Sequence, residues 1–312
     1  MDPDRALQAL LGRLDAEGYR FVTPTPETHR RVVRRADRQV GRSLRDVFGW
    51  SLPFTDQVLD PDLAQLMEQA GVLERRGGFL RSTVRASTVH ERLFLHSAFP
   101  TDAPDSVFLG PDSYRFADLV RSELVGRPSP REVVDIGAGA GVGAVTAAAS
   151  SPGARLILTD VNLQALRLAR INAAHAGLAV ETIETNGLEG LDGPFDLILA
   201  NPPYILDPQG PAYRDGGDMH GGRLSLDWAR AAMARLAPGG MLILYTGSAI
   251  VDGRDGLGEA LEAAAGEAGC GLRYREIDPD VFGEQLELEP YQDVERIAVV
   301  AAVASRPVRP SR

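Results

Sequence analysis

Apolar positions change their period partway along the chain. Leu7, Leu10, Leu11 and Leu14 recur at helical spacing over residues 4–17, and Gly18 closes that run. Thr25-Pro26-Glu27 reads as an N-cap, a first-turn proline and a first-turn acid. The stripe Val33, Ala36, Val40, Leu44 and Val47 then predicts a second helix running to about Val47. Asp60-Pro61 opens a third, short helix that ends at Gly71. Residues 72–97 read as strands, with Gly77-Gly78 as a hairpin turn. Helices followed by a hairpin predict a helical, winged-helix-like recognition domain over residues 1–105, with Trp50 and Phe54 in its core.

Residues 98–112 are rich in Pro, Asp and Gly and read as a linker. After a helix at about 112–125, short apolar strands alternate with helices. The strands are "EVVDIG", "RLILTD", "AVETIET", "FDLILA", "MLILYTG", "LRYREID" and "RIAVVAAVA". This alternation predicts an α/β fold over residues 106–305, a seven-stranded, mostly parallel Rossmann-like sheet. No helix separates the last two strands, so they are expected to pair antiparallel. Residues 306–312 read as a disordered tail.

Composition narrows the class. With 312 residues, 44% hydrophobic and 24% charged, the chain can bury a core. It has no run of about 18 apolar residues, and its first residues are acidic and amphipathic, unlike a signal peptide. The one cysteine, Cys270, excludes an internal disulfide and a cysteine-based metal site. His220 has no partner at metal-ligand spacing, so no metal is expected. A cytoplasmic protein fits these features.

Charge is uneven. Residues 1–105 hold 15 Arg and 15 acids, whereas the rest hold 18 Arg and 28 acids and carry the whole net charge of −10. Lysine is absent, which reads as a codon-composition bias. An acidic C-terminal part argues against wrapping a long nucleic acid. Arg31, Arg35, Arg38, Arg42 and Arg45 recur at helical steps, widened by Arg30 and Arg34. The stripe reads either as an RNA- or ribosome-facing patch or as a solvated helix face.

The candidate chemistry lies at the strand ends. In "VVDIGAGAGVG", Asp135, Gly137, Gly139 and Gly141 close the first strand of the alternation, a turn that brings backbone close to a nucleotide-containing cofactor. Asp160 ends the next strand, where a carboxylate can accept both ribose hydroxyls. A dinucleotide site would want the same residues, but it has no use for the elbow Asn201-Pro202-Pro203-Tyr204 at the end of the fourth strand. The Asn201 side-chain oxygen and the Pro202 carbonyl can accept the two N–H groups of an amine, and Tyr204 offers a flat face to a planar group. This arrangement directs a nitrogen lone pair at an electrophilic methyl. The segment 213–223, glycine-rich at both ends, is expected either to gate the substrate or to be an ordinary surface loop.

"DIGAGAG", Asp160 and "NPPY" resemble the class I S-adenosylmethionine-dependent methyltransferases that act on amino groups. Within them, residues 107–303 look most like the release-factor protein-glutamine methyltransferases and the related methyltransferase small domain proteins. The resemblance implies that Gly137, Gly139 and Gly141 line the methionine part of the cofactor, that Asp135 belongs to the same cofactor-binding set, that Asp160 holds the ribose, and that Asn201 faces the reactive end. Asn186 stands where the family usually has an aspartate that meets the adenine amine. Asn201, Pro202 and Tyr204 would be catalytic, with Pro203, Tyr114 and Phe116 on the substrate side. The segment "FLGPDSYRFA" differs from the proline-containing signature that glutamine methyltransferases carry there. The expected substrate is a protein glutamine amide, the alternatives being an exocyclic amine of adenine or guanine in RNA, a small-molecule amine, or cofactor binding without turnover.

Overall fold

The computed structural model describes residues 1–206 and 215–308. It divides into two compact units. One comprises Met1–Arg115, Gly139–Val142 and Gln164–Ala179; the other comprises Phe116–Ala138, Gly143–Leu163 and Val180 onward. Among the described residues, no helix is long and apolar enough to cross a membrane.

In the first unit, α1 (Pro3–Ala16) starts where Asp2 accepts the Asp4 and Arg5 N–H groups, and it buries Leu7, Leu10, Leu11 and Leu14. After it come α2 (Pro26–Val33), α3 (Leu44–Phe48) and α4 (Pro61–Ala70), the last capped by Asp60 and closed by Gly71 at φ 71°. β1 (Leu73–Arg76) and β2 (Phe79–Ser82) pair antiparallel across Gly77-Gly78, and β3 (Val84–Val89) pairs antiparallel with β4 (Arg92–Ser97). Phe54 is fully buried, while half-buried Trp50 sets its edge against Phe21.

The expected second helix is broken. α2 stops at Val33, a single 3-10 turn covers Ala36–Arg38, and α3 is only five residues long. The buried Asp46 carboxylate accounts for this: it accepts the Arg42 N–H, the Ser43 hydroxyl and an Arg38 guanidinium N–H at 2.9–3.0 Å. Gly41 meanwhile donates its N–H to Pro53 O. Side-chain capping of this kind competes with continuing a helix. The five arginines therefore do not share one helical face. Arg31 pairs with Glu27, Arg38 pairs with Asp46, and Arg45 donates to Arg20 O and lies over the Phe21 ring.

The main sheet uses β5 (Glu132–Ile136), β6 (Arg155–Asp160), β7 (Glu181–Glu184), β8 (Phe195–Ala200), β9 (Leu236–Val251), β11 (Gly271–Asp278) and β12 (Arg296–Ser305) in the order β11-β12-β9-β8-β5-β6-β7. A short β10 (Arg254–Asp255) folds back on β9. β5 to β9 run parallel, whereas β12 is antiparallel to both β9 and β11, as the missing helix between the last strands predicts. The helices are α5 (Pro111–Leu124), α6 (Val142–Ala148), α7 (Leu163–His175), α8 (Arg223–Ala234) and α9 (Gly256–Glu267). β8 and β12 are buried along nearly their whole length, which explains why they read as continuous apolar runs rather than alternating ones. On one face Leu226, Ala229 and Met233 of α8 and Leu257 and Leu261 of α9 complete the core. Arg306 is held rather than disordered: its backbone pairs with Gly239 and Gly240, and its side chain donates to Met233 O. Residues 309–312 of the expected tail lie outside the described residues.

Candidate active site

Strand register sets three candidate residues level with one another. Ile136 of β5 pairs with Thr159 of β6 on one side and with Ala200 of β8 on the other. The next residues, Gly137, Asp160 and Asn201, therefore stand at one edge of the sheet. With strands about 4.8 Å apart, Asp160 and Asn201 flank Gly137 across roughly 10 Å. Strand order also reverses at β5, and the crevice beyond such a reversal is where open α/β sheets bind ligands.

Gly137, Gly139 and Gly141 have φ of 61°, 53° and 81°, a left-handed conformation that costs a side-chain-bearing residue energy. A Cβ on Gly137 would stand 2.6 Å from Trp228 Cη2, and one on Gly187 would stand 3.1 Å from Trp228 Nε1. The half-buried indole of α8 thus occupies the space these two glycines leave open, and its N–H donates to Asn186 Oδ1 at 3.4 Å. The Thr159 hydroxyl donates to Gly187 O and fixes that loop. In the other unit, buried Asn172 donates to Ala140 O at 2.9 Å and exchanges bonds with the Leu95 backbone, which holds the second half of the glycine turn.

Asp135 lies beneath the turn, 2% exposed, and accepts the Ala144 N–H at 2.8 Å. Gly143 makes this approach possible, because a Cβ there would meet Asp135 Oδ2 at 2.7 Å. Burial pushes the Asp135 carboxyl up to about 7; the Ala144 N–H opposes this, and the charge of Asp160 adds to it. Asp160 Oδ1 accepts the Asn162 N–H at 2.9 Å, which orients the carboxylate in the turn after β6.

The elbow follows β8 directly. Asn201 is half-buried, and its amide makes no hydrogen bond to any described residue. Pro202 is buried, Pro203 is half-buried and Tyr204 is 7% exposed. The Tyr204 ring lies on Gly247 of β9, where a Cβ would stand 2.1 Å from the ring, and it meets Phe282 at 5.7 Å between centroids. Residues 215–222 pack back on the elbow. Gly216 N donates to Ile205 O at 2.7 Å, and a Cβ on Gly221 would come within 2.5 Å of Tyr204 O. His220 pairs with Asp293 at 3.0 Å. Residues 213 and 214 of the expected gating loop lie outside the described residues.

Tyr114 and Phe116 have interior contacts. The Tyr114 hydroxyl accepts the Thr23 N–H at 2.8 Å, and Phe116, 3% exposed, packs beside Tyr245. Sequence patterns missed Trp228, Gly143 and Gly187. An aromatic residue inside "LSLDWARAAM" carries only the signal of an amphipathic helix, and the two glycines declare their role only through what their absent side chains would strike.

Beside the indole, Asp160 and Asn186 follow successive strands and present acceptors of the kind that ribose hydroxyls and a base amine would meet. A sheet of this order, with a glycine turn at the reversal and Asn-Pro-Pro-Tyr level beside it, defines a Rossmann-like α/β domain. Residues 117–250 match the model of the methyltransferase small domain. Over 144 residues it is 40% identical to the release factor glutamine methyltransferase of Deinococcus radiodurans, a match covering 43% of this chain and 51% of that protein. Over 73 residues it is 41% identical to the ribosomal RNA small subunit methyltransferase C of Klebsiella pneumoniae, covering 23% of this chain and 21% of that protein. The chain spans about half the length of the release-factor relatives it matches. Trm5b of Pyrococcus abyssi shares the fold with a TM-score of 0.51 at 14% identity, over 75% of this chain and 62% of that one.

Proposed function

We propose that the protein methylates a planar-group nitrogen, with the side-chain amide of a protein glutamine as its substrate. The observation that carries this reading is the Asn201-Pro202-Pro203-Tyr204 elbow standing level with the glycine turn on the neighbouring strand. Bound S-adenosylmethionine supplies a methyl group already activated on a sulfonium. The remaining work of the chain is placement. The Asp160 carboxylate would accept the ribose hydroxyls, and the Asn186 amide would meet the adenine edge. Asn201 Oδ1 and Pro202 O accept the two N–H groups of the substrate, which aims the nitrogen lone pair and offsets the positive charge that develops on it. Asp135 braces the turn from below.

A second reading, an exocyclic amine of an RNA base, is favoured by the likeness to the ribosomal RNA methyltransferase. Both groups present two N–H bonds in one plane, so the elbow suits either. Incubation of a cell lysate with the protein and methyl-labelled cofactor tests the assignment. Label in protein, lost with Asn201→Ala, supports the glutamine reading, and label in RNA supports the second. Binding of S-adenosylhomocysteine with no label in any fraction would overturn both.

A further inference from the structure

The first unit contains a buried cation with no counter-charge. Arg85 on β3 is 3% exposed and makes no ion pair among the described residues. Its Nε donates to Gly49 O at 3.0 Å, and its guanidinium lies 5.8 Å from the Phe21 ring centre, yet its Nη2 has no hydrogen-bond partner. His29 Nδ1 and His96 Nδ1 lack a well-formed hydrogen bond, though backbone groups of Trp50 and Ser97 lie beside the two rings, and each of these residues is 1% exposed. Arg85, His29 and His96 line one cavity, whose wall also includes Thr23, Phe99 and Leu109. Its free volume, about 10 Å³, admits the centre of one water-sized body.

We propose that this cavity binds a monatomic monovalent anion, a halide, against the guanidinium of Arg85. Buried charges are normally paired, because an unpaired ion loses its hydration with nothing in exchange. The site carries one charge. Burial pulls Arg85 down only to about 10, so it stays cationic, whereas burial lowers His29 to about 4 and His96 well below its ordinary value, so both are neutral donors or acceptors. Tyr19 and Tyr114, the other ionisable groups facing Arg85, are pushed upward by burial and remain neutral phenols. His96 Nε2 is already engaged with the Ser87 hydroxyl at 2.8 Å, and His29 is stacked on Phe99 at 4.0 Å between centroids. These contacts fix both rings around the cavity. The size of the cavity excludes phosphate and larger anions.

The test is thermal unfolding of the full chain at constant ionic strength, with sodium gluconate replaced stepwise by chloride or by bromide. The midpoint should rise on the order of 3 °C and saturate with either anion, and the lower saturating concentration identifies which one fits best. Phosphate should give no saturable rise. Arg85→Met, which keeps the volume and removes the charge, should abolish the response. Equal midpoints in gluconate, chloride and bromide would mean that the cavity takes water alone and would overturn the proposal, as would an unchanged response in Arg85→Met. Should that variant fail to fold, bromide-soaked crystals of the wild-type protein decide the matter: an anomalous peak beside Arg85 Nη2 supports the site, and its absence overturns it.

Discussion

The indole over the glycine turn makes the placement of the site open to a direct energetic test. In Gly137→Ala the new residue must hold φ at 61°, which costs an L-amino acid about 1–2 kcal/mol. The added methyl would also stand 2.6 and 2.9 Å from two carbons of Trp228, whereas carbons rest about 3.5–4.0 Å apart. The ring must move by about 1 Å, and overpacking of this kind costs about 1–3 kcal/mol. Trp228 is half-buried and has room to yield, so the total should fall near 3 kcal/mol. Trp228→Leu removes the obstruction but not the backbone strain. Urea unfolding of the wild type, both single variants and the double variant should therefore show a favourable coupling of about 1–2 kcal/mol. The double variant should still retain the left-handed cost. Additivity to within about 0.5 kcal/mol would show that the indole does not sit on Gly137, and the geometry of the crevice would have to be redrawn.

The remaining expectations concern chemistry and pH. Asp160→Ala should weaken S-adenosylhomocysteine binding by about 1.5–3 kcal/mol in calorimetry, and unchanged affinity would remove Asp160 from the ribose. Asn201→Ala should leave that affinity nearly intact while lowering single-turnover rates about a hundredfold, with Asn201→Asp falling between it and wild type; a wild-type rate in the alanine variant would make the elbow a mere strand terminator. The Asp135 carboxyl titrates near 7 when folded against an ordinary 3.8, so the folded state holds its proton more tightly. Stability is then full at low pH and falls as pH rises from about 4 through about 7. Asp135→Asn should remove that fall, a difference approaching about 4 kcal/mol by pH 8 in urea unfolding, and parallel pH profiles for the two proteins would contradict the burial argument.

The sheet was legible because its inner strands are buried on both faces, so apolar runs such as Phe195–Ala200 stand between turn signals with little ambiguity. Glycine spacing and the double proline marked the ends of two adjacent strands, and register did the rest. The second helix was misread for a local reason. Its apolar stripe is real in the sequence, but Asp46 gathers Arg38, Arg42 and Ser43 onto one carboxylate, and no periodicity reveals which polar group wins that competition. Trp228 escaped notice because its role depends on two glycines, 41 and 91 residues before it, whose meaning is spatial. Arg85 and its two histidines escaped for the same reason, since each comes from a different element and looks unremarkable in its own segment.

The choice between amide and nucleobase turns on charge, because the elbow itself suits both. Methylating RNA requires cations to neutralise phosphates near the crevice. Residues 106–312 carry 28 acids against 18 arginines, so that part of the chain repels a polyanion on balance. The N-terminal arginines offer less than their spacing promises. Arg31 and Arg38 are already paired with carboxylates, and Arg45 is bonded to Arg20 O over the Phe21 ring. Arg30, Arg34, Arg35 and Arg42 remain exposed, but they lie on a helix end and the turns after it rather than along one groove-length face. A glutamine presented on a peptide loop needs no phosphate clamp. It needs a cleft, two acceptors for its amide and a surface that does not repel the chain carrying it, and on that measure the protein substrate asks less of this molecule than RNA does.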